Sequence, residues 1–477
     1  MSAPSRIVSL NLGSQSLGLA VFQPQAHGGL VLTGYRRREI LSDPAAEGDR
    51  NRQVTDALRG MLGELGIKGG PIDYAVSGQS VFARFVKMPA VDQEKIERII
   101  TFEAQQNVPF PIDEVVWDYQ LVGKDQATEI EVVLVAIKSD MLEGFNRAVE
   151  EAGPETTLVD VATMALYNAF RFNYSELTGC SLLVDIGART TNLLFVEPGK
   201  VFSRSIPIGG GSMTAAIAKE FNEPFAAAEL RKTKDGFVSL GGAYAEPSDP
   251  EVARVSKLVR NTMARLHAEI ARSISFYRSQ QSGAAPQRVF LCGGAATMPY
   301  MREFFKEKLQ LPIEFFNPLR NVAVAESIPV EEVAHSAHLL GELVGLALRS
   351  TMTCPMELNL RPANVVRRQR LAERRPFLLL AAACFLLGLL GWGFYFMRAA
   401  SAEAATTDKL QEEVQRMRAL SGQIGKYRQE IDALDASAEP LLLSINGRGG
   451  WLQILDDLNT RLPKENIWIT ELAPTSG

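Results

Sequence analysis

The chain has 477 residues, of which 46% are hydrophobic and 22% charged, and its formal net charge is -5. That length leaves room for two or more domains, and the acidic balance argues against a nucleic-acid partner. Its four cysteines, Cys180, Cys292, Cys354 and Cys384, are spaced neither as a zinc site nor as a disulfide framework.

In chain order, Arg6-Ile7-Val8-Ser9-Leu10 opens a strand pattern rather than a signal peptide. Two β-rich runs between Arg6 and Phe22 flank Gly13-Ser14-Gln15-Ser16, which predicts a hairpin with a small polar turn. Backbone N–H groups of such a turn can cradle a phosphate, because no large side chain blocks the approach. Ser181 to Val196 repeats the plan, with Asp185 and Gly187 followed by Arg189, Thr190 and Thr191. Gly209, Gly210 and Gly211 then lead into a helical run from Ser212, and a glycine cluster opening a helix leaves N–H groups unpaired for an anion. Glu229 and Lys232 lie three apart on one helical face. A buried-strand pattern from Val289 ends in Gly293 and Gly294, with Met298-Pro299 beyond.

The C-terminal part is organised differently. Pro376 to Met397 is a run of 22 residues without a charge, about 33 Å as a helix against a hydrocarbon core of roughly 30 Å. Six Arg and one Glu lie between Arg361 and Arg375, whereas Arg398 and Lys409 are the near cations on the far side. This asymmetry predicts a single-pass span with the N-terminal part inside and the tail outside, the basic flank resting against anionic lipid. Residues 398–438 then carry apolar side chains at Leu410, Val414, Met417, Leu420, Ile424, Tyr427, Ile431 and Leu434. That is a heptad seam with one early phase slip, and it predicts a coiled coil seeking a second copy or another protein. After Pro440, Trp451 to Leu462 reads as a short amphipathic helix and Asn466 to Leu472 as a strand. One helix and one strand cannot bury a core alone, so residues 439–477 look incomplete.

With the phosphate-loop pieces in this order, the chain resembles the actin/Hsp70/FtsA-type fold, and within it the PilM proteins of type IV pilus assembly. Tyr74 to Val122 carries the most specific part: Val76-Ser77-Gly78-Gln79-Ser80-Val81-Phe82-Ala83-Arg84, Lys87-Met88-Pro89, Phe102 to Pro111 and Trp117-Asp118-Tyr119-Gln120, with Phe315-Phe316-Asn317-Pro318 beyond. The resemblance implies an α/β, two-lobed fold over residues 1–349 with an inserted subdomain at about 77–150, and ATP or ADP with Mg²⁺ between the lobes. It assigns Gly13, Ser14, Gln15 and Ser16 to the first phosphate loop and Asp185, Gly187, Arg189, Thr190 and Thr191 to the second. Gly209, Gly210, Gly211 and Ser212 would lie near the phosphates, and Glu229, Lys232, Gly293 and Gly294 at the adenosine. No side chain is assigned as a direct metal ligand, although Asp185 could act through water.

Two positions depart from the family pattern. Asn11 stands where an acidic residue is usual and Gly18 where many members have Lys, which removes charge from the metal and phosphate sites. The expected activity is therefore nucleotide binding with slow turnover or none, rather than enzyme catalysis. Met356 to Asn364 is similar to the cytoplasmic peptide of PilN that docks on PilM, at Leu358, Asn359, Leu360, Arg361 and Pro362, with Arg361 replacing an apolar residue. Within residues 350–375 this peptide and the basic linker would join the first domain to the span, as in a PilM–PilN fusion, and residues 439–477 resemble the start of the ferredoxin-type PilN outer domain. The resemblance thus implies an inner-membrane platform of the pilus alignment complex with PilO-like partners. Two alternatives are a GspL-like platform of type II secretion and a membrane-anchored ATPase of the same fold.

Overall fold

The structure is a computed structural model that describes residues 6–25, 29–40, 50–89, 93–122, 129–240, 247–463, 469 and 471–473. The chain divides into two compact units, Met1–Leu371 and Ala372–Gly477.

In the first unit, strand Ile7–Leu12 is buried along almost its whole length, as a strand covered on both faces must be. It pairs antiparallel with Ser16–Pro24, with Leu10 opposite Leu19 and Asn11 opposite Gly18. Its other edge pairs in parallel with Pro71–Val76. Leu30–Glu39 and the short Ala323–Val324 extend the sheet on the hairpin side, and Glu155–Val161 closes it on the parallel side, giving six strands.

A second sheet repeats the plan with five strands. Cys180–Ile186, wholly buried, pairs antiparallel with Thr191–Glu197, which pairs antiparallel with Lys200–Ile206. Pro286–Cys292 and Ile313–Phe315 follow in parallel on the opposite edge. Each sheet has its own apolar core, the second built on Leu182, Val184, Phe195, Met263 and Leu291 among others. The two polar turns expected from sequence therefore occupy equivalent places, at the end of the central hairpin of each sheet.

A third, three-stranded antiparallel sheet places Glu129–Lys138 between Phe82–Pro89 and Val115–Val122, with helix Gln93–Asn107 alongside. It falls within residues 77–150 and has a small core of its own, from Met88, Ile96, Ile100, Val132 and Leu134. Helices Ala162–Asn173 and Gly341–Leu348 are almost entirely buried. They cross closely: a Cβ on Gly345 would lie 1.8 Å from the Ala165 carbonyl oxygen, so only glycine permits this approach.

Helix Ala363–Arg461 starts in the first unit and makes up most of the second. Its apolar stretch is long enough to cross a membrane by length and composition, and the residues of that stretch are exposed. The seam residues Leu410 to Leu434 lie on this same helix and are exposed. The helix continues through Pro376 and Pro440, so the break in pattern read at Pro440 is not a break in backbone. Proline removes one N–H there, and exposed Ala436 can give its freed carbonyl to water. Trp451 to Arg461 is helical as part of this element. The strand expected at Asn466 to Leu472 lies largely outside the described residues, and Ile469, Glu471 and Leu472 have no regular structure.

Candidate functional site

Between the two sheets of the first unit lies a cavity of about 400 Å³, within the usual range for small-molecule sites of about 300–1,000 Å³. The first turn enters it through Gly13, Ser14, Gln15 and Ser16, and the second through Asp185, Gly187, Arg189 and Thr190. Gly210, Glu229, Lys232, Gly293 and Gly294 also line it. Hairpin ends and parallel-strand ends converge here because the two sheets repeat one plan.

The floor is acidic. Asp185 is buried and accepts from Asn192 Nδ2 at 2.8 Å, while Asn192 Oδ1 accepts from Ser205 Oγ at 2.7 Å. Burial raises the Asp185 carboxyl above its ordinary range, and the Asn192 amide pulls it back. Glu342, at the start of helix Gly341–Leu348, accepts from Asn11 Nδ2 at 3.0 Å. Burial first, and then the nearby Asp185, push its carboxyl up to about 8. Asn11 thus leaves the first strand without a carboxylate, but Glu342 brings one within hydrogen-bonding reach of it. Sequence reading missed Glu342 because it sits in an apolar helix 331 residues further on, with no motif around it.

Gly293 ends its strand at φ +88°, and a Cβ there would lie 2.3 Å from Asp185 Oδ1. Its N–H donates to the His338 carbonyl at 3.0 Å, fastening the second sheet to the segment that leads into Glu342. Burial, followed by the charge of Arg37, lowers the His338 imidazole to about 4, so it is neutral at neutral pH. Lys232 Nζ is held by Glu229 Oε2 at 2.7 Å, Thr214 Oγ1 at 2.9 Å and the Gly210 carbonyl at 3.3 Å. Burial lowers its ammonium pKa, partly offset by Glu229. Leu230, Met298, Pro299 and Leu339 form the apolar side of the cavity.

Four sequence-derived positions fall elsewhere. Thr191 is fully buried and its hydroxyl donates to the Ile208 carbonyl at 2.7 Å. Gly209, Gly211 and Ser212 do not line the cavity. The amides expected to wait for an anion are already used: Gly210 N–H donates to Gly187 O at 2.9 Å, Gly211 N–H to Ala188 O at 2.7 Å and Ser212 N–H to Gly209 O at 3.0 Å. This glycine cluster braces the second turn rather than presenting free donors. Beyond Asn11 and Glu342, Tyr35, Arg37 and Glu39 line the cavity from strand Leu30–Glu39 without any sequence signal.

Glycine turns, an acidic floor, a fixed lysine and an apolar wall fit a nucleotide with a hydrated cation. Among the described residues no group of three or more His, Cys, Asp or Glu side chains is arranged to hold a metal directly. Asp185, and Glu342 when ionised, would hold Mg²⁺ through water, where the ion would offset phosphate charge.

The Met356–Arg361 segment lies along the edge strand Glu155–Val161 and also meets the inserted subdomain. Leu360 N–H donates to Val159 O at 2.8 Å, and Val159 N–H to Asn359 Oδ1 at 3.2 Å. Asn168 receives Met356 N–H at 3.0 Å and returns a bond to Met356 O at 2.8 Å. From the inserted subdomain Asp118 accepts from Asn359 N–H at 2.8 Å and Gln120 from Glu357 N–H at 3.3 Å. Arg349 donates to Leu358 O at 2.8 Å and to buried Asp160 at 2.7 Å. Met356, Leu358 and Leu360 are fully buried, alternating as an extended segment requires. Arg361 turns back and donates to Gln369.

A family model for the type IV pilus assembly protein PilM matches residues 10–351. One similar solved structure is a PilM–PilN type IV pilus biogenesis complex, at 23% identity and a TM-score of 0.62, covering 73% of this chain and 99% of that one. The cell division protein FtsA of Bacillus subtilis (strain 168) is 25% identical over 258 residues, 48% of this chain and 57% of FtsA, so the match spans little more than half of that relative. MreB5 of Spiroplasma citri bound to AMPPNP is a looser likeness, at 16% identity and a TM-score of 0.38 over 72% of this chain and 95% of that one. The fold is the actin-like one, and with most of the chain matched, this protein belongs to the PilM family of type IV pilus assembly proteins.

Proposed function

We propose that the chain is an inner-membrane platform of the pilus assembly machine that binds ATP or ADP with Mg²⁺ in the cavity between its sheets. The observation that carries this reading is the convergence of two small-residue turns, the Asp185–Glu342 pair and an apolar wall on one cavity of nucleotide size. The nucleotide acts as a structural ligand: the phosphates lie at Gly13 to Ser16 and Gly187 to Thr190, and the purine lies toward Leu230 and Met298. The segment from Leu358 to Pro362 serves in cis as the docking peptide that a separate PilN would supply. Residues 376–397 cross the membrane with the first unit inside. Beyond them the helix seam of 398–438 pairs with a PilO-like protein or a second copy, and 439–477 belong to a further domain.

Gly294→Trp tests the cavity. A Cβ at Gly294 has Leu339 Cδ2 at 3.8 Å as its nearest neighbour, so a side chain can start there without a backbone clash, and an indole at this lining position is expected to fill the cavity. Calorimetric titration of the full chain in detergent is expected to show one saturable ATP site in the parent, with affinity at least tenfold weaker in the variant. Equal affinities would remove the nucleotide from this cavity. For topology, protease added outside spheroplasts should cut residues beyond Met397 and leave the first unit intact; cleavage of the first unit would reverse the orientation.

A further inference from the structure

The first turn is shaped by a residue that does not line the cavity. Arg50 opens helix Arg50–Glu64 and reaches back to the turn, where Nη2 donates to Gly13 O at 2.7 Å and Nη1 to Ser14 O at 2.6 Å. The next carbonyl, Gln15 O, accepts from Ile40 N–H at 2.8 Å. Three successive carbonyls are thereby drawn to partners outside the cavity. In a trans peptide the N–H of the following residue points opposite to the carbonyl, and the chain has no cis peptide bond among its described residues. The N–H groups of Ser14, Gln15 and Ser16 are thus turned away from Arg50 and Ile40, and it is these residues that line the cavity while Arg50 does not. Among the described residues, Ser14 and Gln15 N–H have no acceptor within the protein.

We infer that Arg50 is a positioning residue: its fork holds the first turn as a nest of backbone donors for the polyphosphate of a nucleotide. This rests on the nucleotide reading above. The planar guanidinium can meet two carbonyls at once, whereas a lysine ammonium is a point charge without that fork. Among the described residues no carboxylate pairs with Arg50. Burial first, and then the charge of Arg189 in the second turn, lower the Arg50 pKa. An anion seated on the nest relieves that repulsion, so the turn is both shaped and charged for phosphate.

The test compares ATP, ADP and adenosine binding by calorimetry on the full chain, for the parent, Arg50→Ala and Arg50→Lys. A lost set of charge-assisted contacts should weaken ATP by about ten- to a hundredfold in Arg50→Ala, with adenosine unchanged. Arg50→Lys keeps the charge and loses the fork, so it should stay close to Arg50→Ala. Hydrogen exchange should show ATP protecting the amides of residues 14–16 in the parent and not in the variants. Parental ATP affinity in Arg50→Ala, or full rescue by Arg50→Lys, overturns the positioning role while leaving the nucleotide site standing. Equal loss of ATP and adenosine overturns it too, since Arg50 would then support the lobe and not the nest. If the parent itself binds no adenine nucleotide, the underlying reading fails and this inference with it.

Discussion

At the residue scale, Asp185 and Glu342 decide the chemistry of the cavity, since two carboxyls there share little solvent. The Glu342 carboxyl, raised from 4.5 to about 8, favours its protonated form in the fold. Its contribution to stability is fully present below its unfolded pKa and is lost as pH rises through about 8. Glu342→Gln mimics the protonated form and keeps an acceptor for the Asn11 amide. It should therefore flatten the fall in melting temperature between about pH 5 and pH 8 and stabilise the ligand-free protein by on the order of 2 kcal/mol at pH 8. Melting curves across that window check it, and a parental pH slope in the variant would show that Glu342 is ionised throughout. Asn11 alone suggested a depleted metal site; its hydrogen bond to the distant Glu342 carboxyl, invisible to local pattern, brings an acidic group beside it.

The helix Gly341–Leu348 is the element that unites the two sites. It begins with Glu342 at the cavity and is followed by Arg349, whose guanidinium joins Asp160 to the Leu358 carbonyl. Asp160 is fully buried, and burial pushes its carboxyl up to about 6 against the pull of Arg349. The docked segment depends on this buried pair and on Leu358 and Leu360, each worth about 1.5–3 kcal/mol of burial. Leu358→Asp with Leu360→Asp should free the stretch before the span, and limited proteolysis should then cut near residues 355–362 far faster than in the parent. An unchanged cleavage rate would mean that the segment is held by something other than its side chains. The alternation Met356, Leu358, Leu360 was legible because a period of two survives in any extended stretch. Its location was not: the side chains of Asn168, Asp118 and Arg349 that bond its backbone come from three separate parts of the chain, and such side-chain donors and acceptors leave no pattern in sequence. The glycines at 209–211 misled for a related reason. A glycine cluster before a helix signals close backbone approach, and here that approach is to the carbonyls of Gly187 and Ala188 rather than to a ligand.

For the whole molecule, the repeated sheet plan explains why so much of the first unit could be read in advance. Two hairpins with small turns, each followed by parallel strands, leave their turns facing one cavity, and the runs that form them are rich in Leu and Val. The inserted three-stranded sheet was signalled by its motif, since its outer strands Phe82–Pro89 and Val115–Val122 are only partly buried around the buried central strand. In the second unit the uncharged run ending at Met397 is unmistakable, and the seam beyond it is exposed along the same helix. The central claim is that the cavity between the sheets takes a purine nucleotide. Photo-crosslinking the full chain with an azido-ATP and mapping the adduct by mass spectrometry tests it most directly. The account predicts labelling within Leu230 to Thr233 or Gly293 to Pro299, suppressed by excess ATP. Labelling confined to other residues, or labelling that ATP does not suppress, would contradict it.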